Sequence, residues 1–189
     1  MLHKLLFFLV LSLSLWADRS GPYLGIGYGA GFYEPGSRVA EVSNEPYNVR
    51  FTAGAYINEN LSVELNIAEF GGAQLGYNLS SYRSQNSTSL SIEEESFRVF
   101  SVSTLAHYPF YNDTFDVFGR FGAGTIGLRT TAPIDDTNTD SPVLVFGGGA
   151  SWRVTPMLSV IAGYDHYTFQ MLSADATLGS AYISFEVQF

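Results

Sequence analysis

Three groups of residues in this chain have types and spacings that invite a chemical reading. His166 and Thr168 lie two apart, so on a strand they share a face. An imidazole beside a hydroxyl makes a nucleophilic pair when a carboxylate orients the ring, and no carboxylate falls on that face. Gly122, Gly124 and Gly127 fit the spacing G-x-G-x-x-G, which binds a dinucleotide only where a helix follows and offers its N-terminus to the phosphates. Leu128-Arg129-Thr130-Thr131-Ala132-Pro133 begins no such helix. Asp136, Asn138 and Asp140 alternate like calcium-loop ligands, but Ser141 stands where the loop needs glycine and the closing glutamate is missing. His107 and His166 are isolated, and cysteine is absent, so neither an imidazole nor a thiolate metal site is expected. This reading assigns no catalytic residue, no metal and no cofactor.

A different constellation stands out. Arg50, Glu64, Arg120, Arg153, Asp165 and Glu186 each fall inside a segment of alternating apolar and polar residues. A charge at the middle of a strand is unfavourable unless it is paired and hydrogen-bonded. Three arginines and three carboxylates can pair, and arginine's fork can serve two acceptors at once. The six are expected to form a charge network on one side of a curved sheet, with Arg50, Arg120 and Arg153 paired to Glu64, Asp165 and Glu186.

The elements that position them repeat with period two along the chain, the signature of strands with two unlike faces. In Gly21–Tyr33, Leu24, Ile26, Tyr28, Ala30 and Phe32 share one face, and Gly25, Gly27, Gly29 and Gly31 share the other. A glycine face is a poor sandwich core but suits a narrow barrel, where it leaves room for larger side chains from other strands. Seven further segments alternate: 47–57, 61–70, 97–108, 115–128, 143–154, 158–169 and 178–189. Their apolar faces carry, for example, Phe51, Leu65, Val102, Phe121, Phe146, Val160 and Phe185, opposite Arg50, Glu64, Arg120, Gly147, Ser159 and Glu186. Connections alternate long (34–46, 71–95, 130–141 and the intermediate 170–177) and short (58–60, 110–114, 155–157). Transmembrane barrels have this asymmetry, with long outside loops and short periplasmic turns. The short ones have turn chemistry, as in Asn58-Glu59-Asn60 and Thr155-Pro156-Met157. Most of the acidic residues fall in the long connections. Aromatic residues, 15% of the chain, gather near segment ends, as Tyr47, Tyr108, Phe110, Phe115 and Trp152 do, consistent with interfacial girdles. The fold expected is an all-β, eight-stranded, antiparallel up-and-down transmembrane barrel.

Residues 1–17 read as a cleaved signal peptide, with Lys4 before the apolar run Leu5–Leu15 and Ala17 at the cut, leaving 18–189 as one barrel domain. That run is too short for a spanning helix. The formal net charge is −9, and Lys4 is the only lysine, so the exported chain is more acidic still. Such a surface disfavours nucleic acid, whose binding relies on Lys and Arg.

The last segment, Tyr182-Ile183-Ser184-Phe185-Glu186-Val187-Gln188-Phe189, resembles the assembly signal that ends bacterial outer-membrane barrels, with Ser184 where the family usually has glycine. Tyr108-Pro109-Phe110, Gly122-Ala123-Gly124 and Ala162-Gly163-Tyr164-Asp165 are similar to stretches of the OmpA-type and OmpX-type small barrels, and the resemblance covers the whole of 18–189. It implies outer-membrane localisation, contact with outer-membrane lipid and lipopolysaccharide, delivery by the barrel assembly machinery through Tyr182, Phe185, Val187 and Phe189, and a monomer. The pair His166 and Thr168 has a counterpart in outer-membrane lipid A deacylases, which carry His-x-Ser on a late strand. Threonine replaces that serine here and the family's neighbouring asparagine is missing. The expected role is therefore non-enzymatic, envelope-structural or surface-interacting, with a lumen closed by charges. The alternatives are a narrow channel for small solutes and, further off, a lipid A-modifying enzyme.

Overall fold

The computed structural model describes residues 20–34, 39–77, 91–130, 139–171 and 174–189. The expected signal peptide lies outside them. Among the described residues nine strands run in order: β1 (Gly21–Glu34), β2 (Val39–Asn44), β3 (Tyr47–Asn58), β4 (Leu61–Tyr77), β5 (Ser91–Phe110), β6 (Phe115–Thr130), β7 (Thr139–Arg153), β8 (Leu158–Met171) and β9 (Ala174–Gln188). They make eight staves, because β2 and β3 follow each other along the same edge of β4, from Val39↔Tyr77 to Asn44↔Gln74 and then from Tyr47↔Gly71 to Asn58↔Leu61. The break falls at Pro46, which has no N–H to give to a ladder, although its carbonyl accepts from the Gly31 N–H at 2.6 Å. Each stave is antiparallel to its neighbours, β9 pairs with β1, and β4 pairs with β5, so the sheet closes. Closure pairs both edges of every stave through the lower barrel, as a lipid environment requires; toward the loop end β1 beyond Ala30 pairs with β9 alone and β2 with β4 alone.

The tight turns and the residues next to both chain ends share one end of the barrel. Asn60 N–H donates to Asn58 Oδ1 at 2.9 Å, and Thr155 Oγ1 accepts from the Leu158 N–H at 3.0 Å. Between β5 and β6, Tyr111, Asn112 and Asp113 all have positive φ, 52°, 51° and 61°. Asn and Asp tolerate this conformation and Tyr does so rarely. The Tyr111 ring is held by edge contacts with Phe110 and Phe115, while Phe115 stacks on Trp152.

The faces follow the alternation. Leu24, Phe51, Leu65, Val102, Phe121, Phe146 and Phe185 point outward and are exposed, and Arg50, Glu64, Arg120, Ser151, Asp165 and Glu186 point inward and are buried. The boundaries differ from the sequence expectation. β4 continues to Tyr77, β5 starts at Ser91, β7 at Thr139, and β8 and β9 reach Met171 and Ala174, so parts of 34–46, 71–95, 130–141 and 170–177 are strand. The residues just beyond the expected segments, such as Gly71, Gly72, Ser96, Asp140 and Ser141, are small or polar, so an apolar-outward pattern does not find them.

The main correction concerns the faces. Near the loop end of the barrel the phase inverts: Ala68, Phe70, Phe97, Val99, Val143, Val145, Tyr167, Phe169 and Leu178 point inward and pack together. Of their outward neighbours, Glu69, Arg98, Thr168 and Gln170 are polar and exposed, while Ile67, Phe100, Leu144 and Phe146 are still apolar. On β4, β5 and β8 the outer wall thus passes from lipophilic to polar, and the interior at that level is an apolar core.

Candidate functional site: the barrel interior

Two glycines on different staves make space for the central charges. A Cβ at Gly27 would stand 2.8 Å from Arg50 Cγ, and one at Gly147 would stand 2.1 Å from Asp165 Oδ1. In that space Arg50 Nη1 donates to Asp165 Oδ2 at 2.8 Å, and Arg120 Nη1 donates to the same oxygen. Arg120 Nη2 lies 2.8 Å from Glu64 Oε1. The four charges balance, which offsets the large penalty of removing each from water. The Arg50 guanidinium also stacks on the Tyr182 ring, 3.7 Å from its centroid. This cation–π contact serves the Nε and Nη2 groups, which have no hydrogen-bond acceptor among the described residues.

Toward the tight-turn end the polar chain continues. Tyr23 OH donates to Glu64 Oε2 at 3.3 Å, and Tyr56 OH donates to Glu186 Oε1 at 3.0 Å. Ser62 Oγ and His107 Nε2 are 2.8 Å apart, and His107 Nδ1 and Asp116 Oδ2 are also 2.8 Å apart. These are the residue types of a hydrolytic relay, but the surroundings are structural. Ser62 is fully buried and is paired in the ladders with Tyr56 and Leu105. Nucleophilic acyl transfer needs donors aimed at a developing oxyanion, whereas Glu64 lies on the same inward face and is linked to Ser62 through Tyr23. The relay ties β4 to the β5–β6 hairpin. Toward the loop end the interior is apolar, formed by the inverted-phase residues described above.

Of the six charges expected to meet, Arg50, Arg120, Glu64 and Asp165 form one group. Glu186 lies in the tier nearer the tight turns, with Tyr56. Arg153 is corrected: it is the last residue of β7, paired with Ser159, and only half-buried. A long side chain at a strand end can carry its charge to water, so it does not require a buried partner. Of the last-strand residues, Phe185 and Val187 face outward while Tyr182 is buried beneath Arg50. The sequence reading left His107 unconstrained. Its parity with Ser101 and Ser103, and the short turn 111–114 that brings it near Asp116, would have placed it inside. Gly122 and Gly124 lie within β6 against Ser103 and Ser101, which is strand geometry rather than the start of a phosphate-binding helix. His166 is half-exposed and Thr168 exposed, both on the outer side. Asp136 and Asn138 fall outside the described residues.

A closed antiparallel barrel with a lipophilic outer belt and an ion-paired interior is the architecture of an integral outer-membrane protein. The chain belongs to the outer membrane protein beta-barrel domain family, matched over residues 4–189. Among solved structures it is similar to Neisserial surface protein A (TM-score 0.70, 15% identity, covering 90% of this chain and 98% of that one). It is also similar to Ail, the attachment invasion locus protein of Yersinia pestis (TM-score 0.59, 15% identity, 89% and 99%). A third is the outer membrane protein OprG from Pseudomonas aeruginosa (TM-score 0.57, 9% identity, 92% and 98%). No curated protein matches the sequence. At these identities the structural likeness speaks for the fold.

Proposed function

We propose that this protein is a non-enzymatic, non-conducting outer-membrane barrel that acts through the segments projecting from its loop end. The observation that carries this reading is the stacking of two unlike seals inside one narrow barrel. Arg50, Asp165, Arg120 and Glu64 form an ion-paired layer, and Phe70, Phe97, Val99, Tyr167 and Leu178 pack above it. A solute would have to break paired, desolvated charges and then cross a dry apolar layer. With the interior filled, what the molecule offers to others is its outer rim. Glu34, Asp140 and Asp175 are exposed there, giving an acidic, surface-interacting end. Ail has been crystallised in complex with the heparin analogue sucrose octasulfate, a precedent in a similar fold for ligand binding. In this reading 1–17 is a cleaved signal peptide, 18–189 is one monomeric barrel in contact with outer-membrane lipid and lipopolysaccharide, and the last strand with Phe189 is presented to the barrel assembly machinery. Proteoliposomes placed in an iso-osmotic pentose solution test it. Swelling at the rate of protein-free liposomes is expected, and swelling that scales with protein content would overturn the closed interior.

A further inference from the structure

The phase inversion leaves an ion pair on the outside of the wall at the lipid boundary. Glu69 on β4 and Arg98 on β5 are register partners, and both side chains point outward with nearly half their surface exposed. Leu61, at the tight-turn end, precedes Glu69 by eight residues in β4. At about 3.3 Å per residue and a tilt of about 40°, Glu69 lies roughly 20 Å above that end. The apolar band of such barrels is about 25 Å tall, so the pair stands where acyl chains give way to headgroups in the outer leaflet.

The pair uses its groups unevenly. Arg98 Nε donates to Glu69 Oε1 at 2.7 Å, and Nη2 reaches the same oxygen. A guanidinium has five N–H donors in a fork suited to two oxygens of one anion. Here Nη1 and the second carboxylate oxygen have no partner among the described residues. Beside the pair the sheet opens. Phe70 pairs with Phe97 and Ala73 with Glu95, so Gly71 and Gly72 stand opposite Ser96 alone, and Gly72 takes φ +82°. The Tyr47 ring lies over Gly71, where a Cβ would come within 2.6 Å of the hydroxyl. The result is a cleft of about 520 Å³ walled by Tyr47, Val49, Phe51, Glu69, Gly71 and Arg98.

We infer that this cleft seats one phosphorylated outer-leaflet lipid of the lipid A type, with its phosphate on Arg98, its sugar against Tyr47 and an acyl chain along Val49 and Phe51. A soluble anion would leave the apolar wall unused, and an uncharged lipid would leave Arg98 Nη1 without an anionic acceptor in a medium that makes unpaired donors unfavourable. A phosphorylated acylated sugar meets both requirements. The inference deepens the lipid partner of the proposed function and rests on the outer-leaflet placement of the loop end.

The test uses the refolded chain in detergent micelles with bis-phosphorylated lipid A or its dephosphorylated form, read by native mass spectrometry. One retained bis-phosphorylated lipid is expected. Dephosphorylation and Arg98→Gln should each weaken retention about tenfold, as loss of one charge-assisted contact implies, while Arg153→Gln leaves it unchanged. Glu69→Gln, which releases Arg98, should retain the lipid at least as well. The dephosphorylated arm uses the unaltered protein, so it decides even if a variant fails to fold. Equal retention of the two lipids, or equal loss in Glu69→Gln and Arg98→Gln, would overturn the seat. Neither outcome bears on the closed interior, which the swelling assay addresses separately.

Discussion

Asp165 on β8 and Gly147 on β7 are register partners, and the carboxylate of one occupies the space that a side chain on the other would take. A Cβ at Gly147 would stand 2.1 Å from Asp165 Oδ1, while Oδ2 of the same carboxylate holds Arg50 and Arg120. The glycine is therefore part of the charge network although it carries no charge.

Gly147→Ala should destabilise the barrel by about 1–3 kcal/mol, the usual range for overpacking a filled interior. Gly119→Ala is the matched control, because a Cβ there would meet nothing within 4 Å. Urea unfolding of both variants in the same lipid vesicles checks this. Equal stability of the two would mean that the carboxylate can move aside freely.

Removing one member of the network should matter far more than removing the arginine outside it. Arg120→Ala leaves Glu64 short of its cation and Asp165 with one arginine instead of two, so a loss of roughly 3–5 kcal/mol is expected. Arg153→Ala, at a half-exposed strand end, should change stability by less than about 1 kcal/mol. Equilibrium unfolding of the pair of variants separates the two positions, and a comparable loss in both would contradict the grouping.

The phase inversion predicts where charge is tolerated on the outer wall. Leu65→Arg, in the lipophilic belt, should destabilise the inserted protein by about 2–4 kcal/mol, and Thr168→Arg, above it, by no more than about 1 kcal/mol. Reversal of this order would move the membrane boundary from where the pattern sets it.

The last strand is expected to carry an assembly signal. Phe189 ends the chain beside β1, its N–H bonded to the Pro22 carbonyl at 3.0 Å. Deleting it removes little buried surface from the barrel. The expected outcome is less folded protein in the outer membrane with export unchanged, measured by heat-modifiable mobility in fractionated cells. Wild-type levels of folded truncated protein would remove the signal role.

The strand number, the outward faces and the central charges were legible because a two-residue period with lipophilic residues on one side has few explanations. Arg50, Arg120, Glu64 and Asp165 could be placed inside by parity alone. Parity does not say how far along the barrel a residue lies, so Arg153 was grouped with charges from which its strand-end position separates it. The apolar tier was not legible for a related reason. Phe70 and Phe169 look like interfacial aromatics because they end their segments, although their parity with Glu64 and Asp165 sets them inward. The Ser62–His107–Asp116 relay was hidden because its members lie on three strands and carry no spacing of their own.

The closed interior is the claim on which the functional reading depends, and single-channel recording in planar bilayers addresses it most directly. The refolded wild-type protein should give no steady openings above the bare-bilayer baseline, whereas Arg120→Ala, which breaks the ion-paired layer, should produce measurable leak. Large, steady conductance in the wild-type protein would contradict the closed interior and make the barrel a narrow channel.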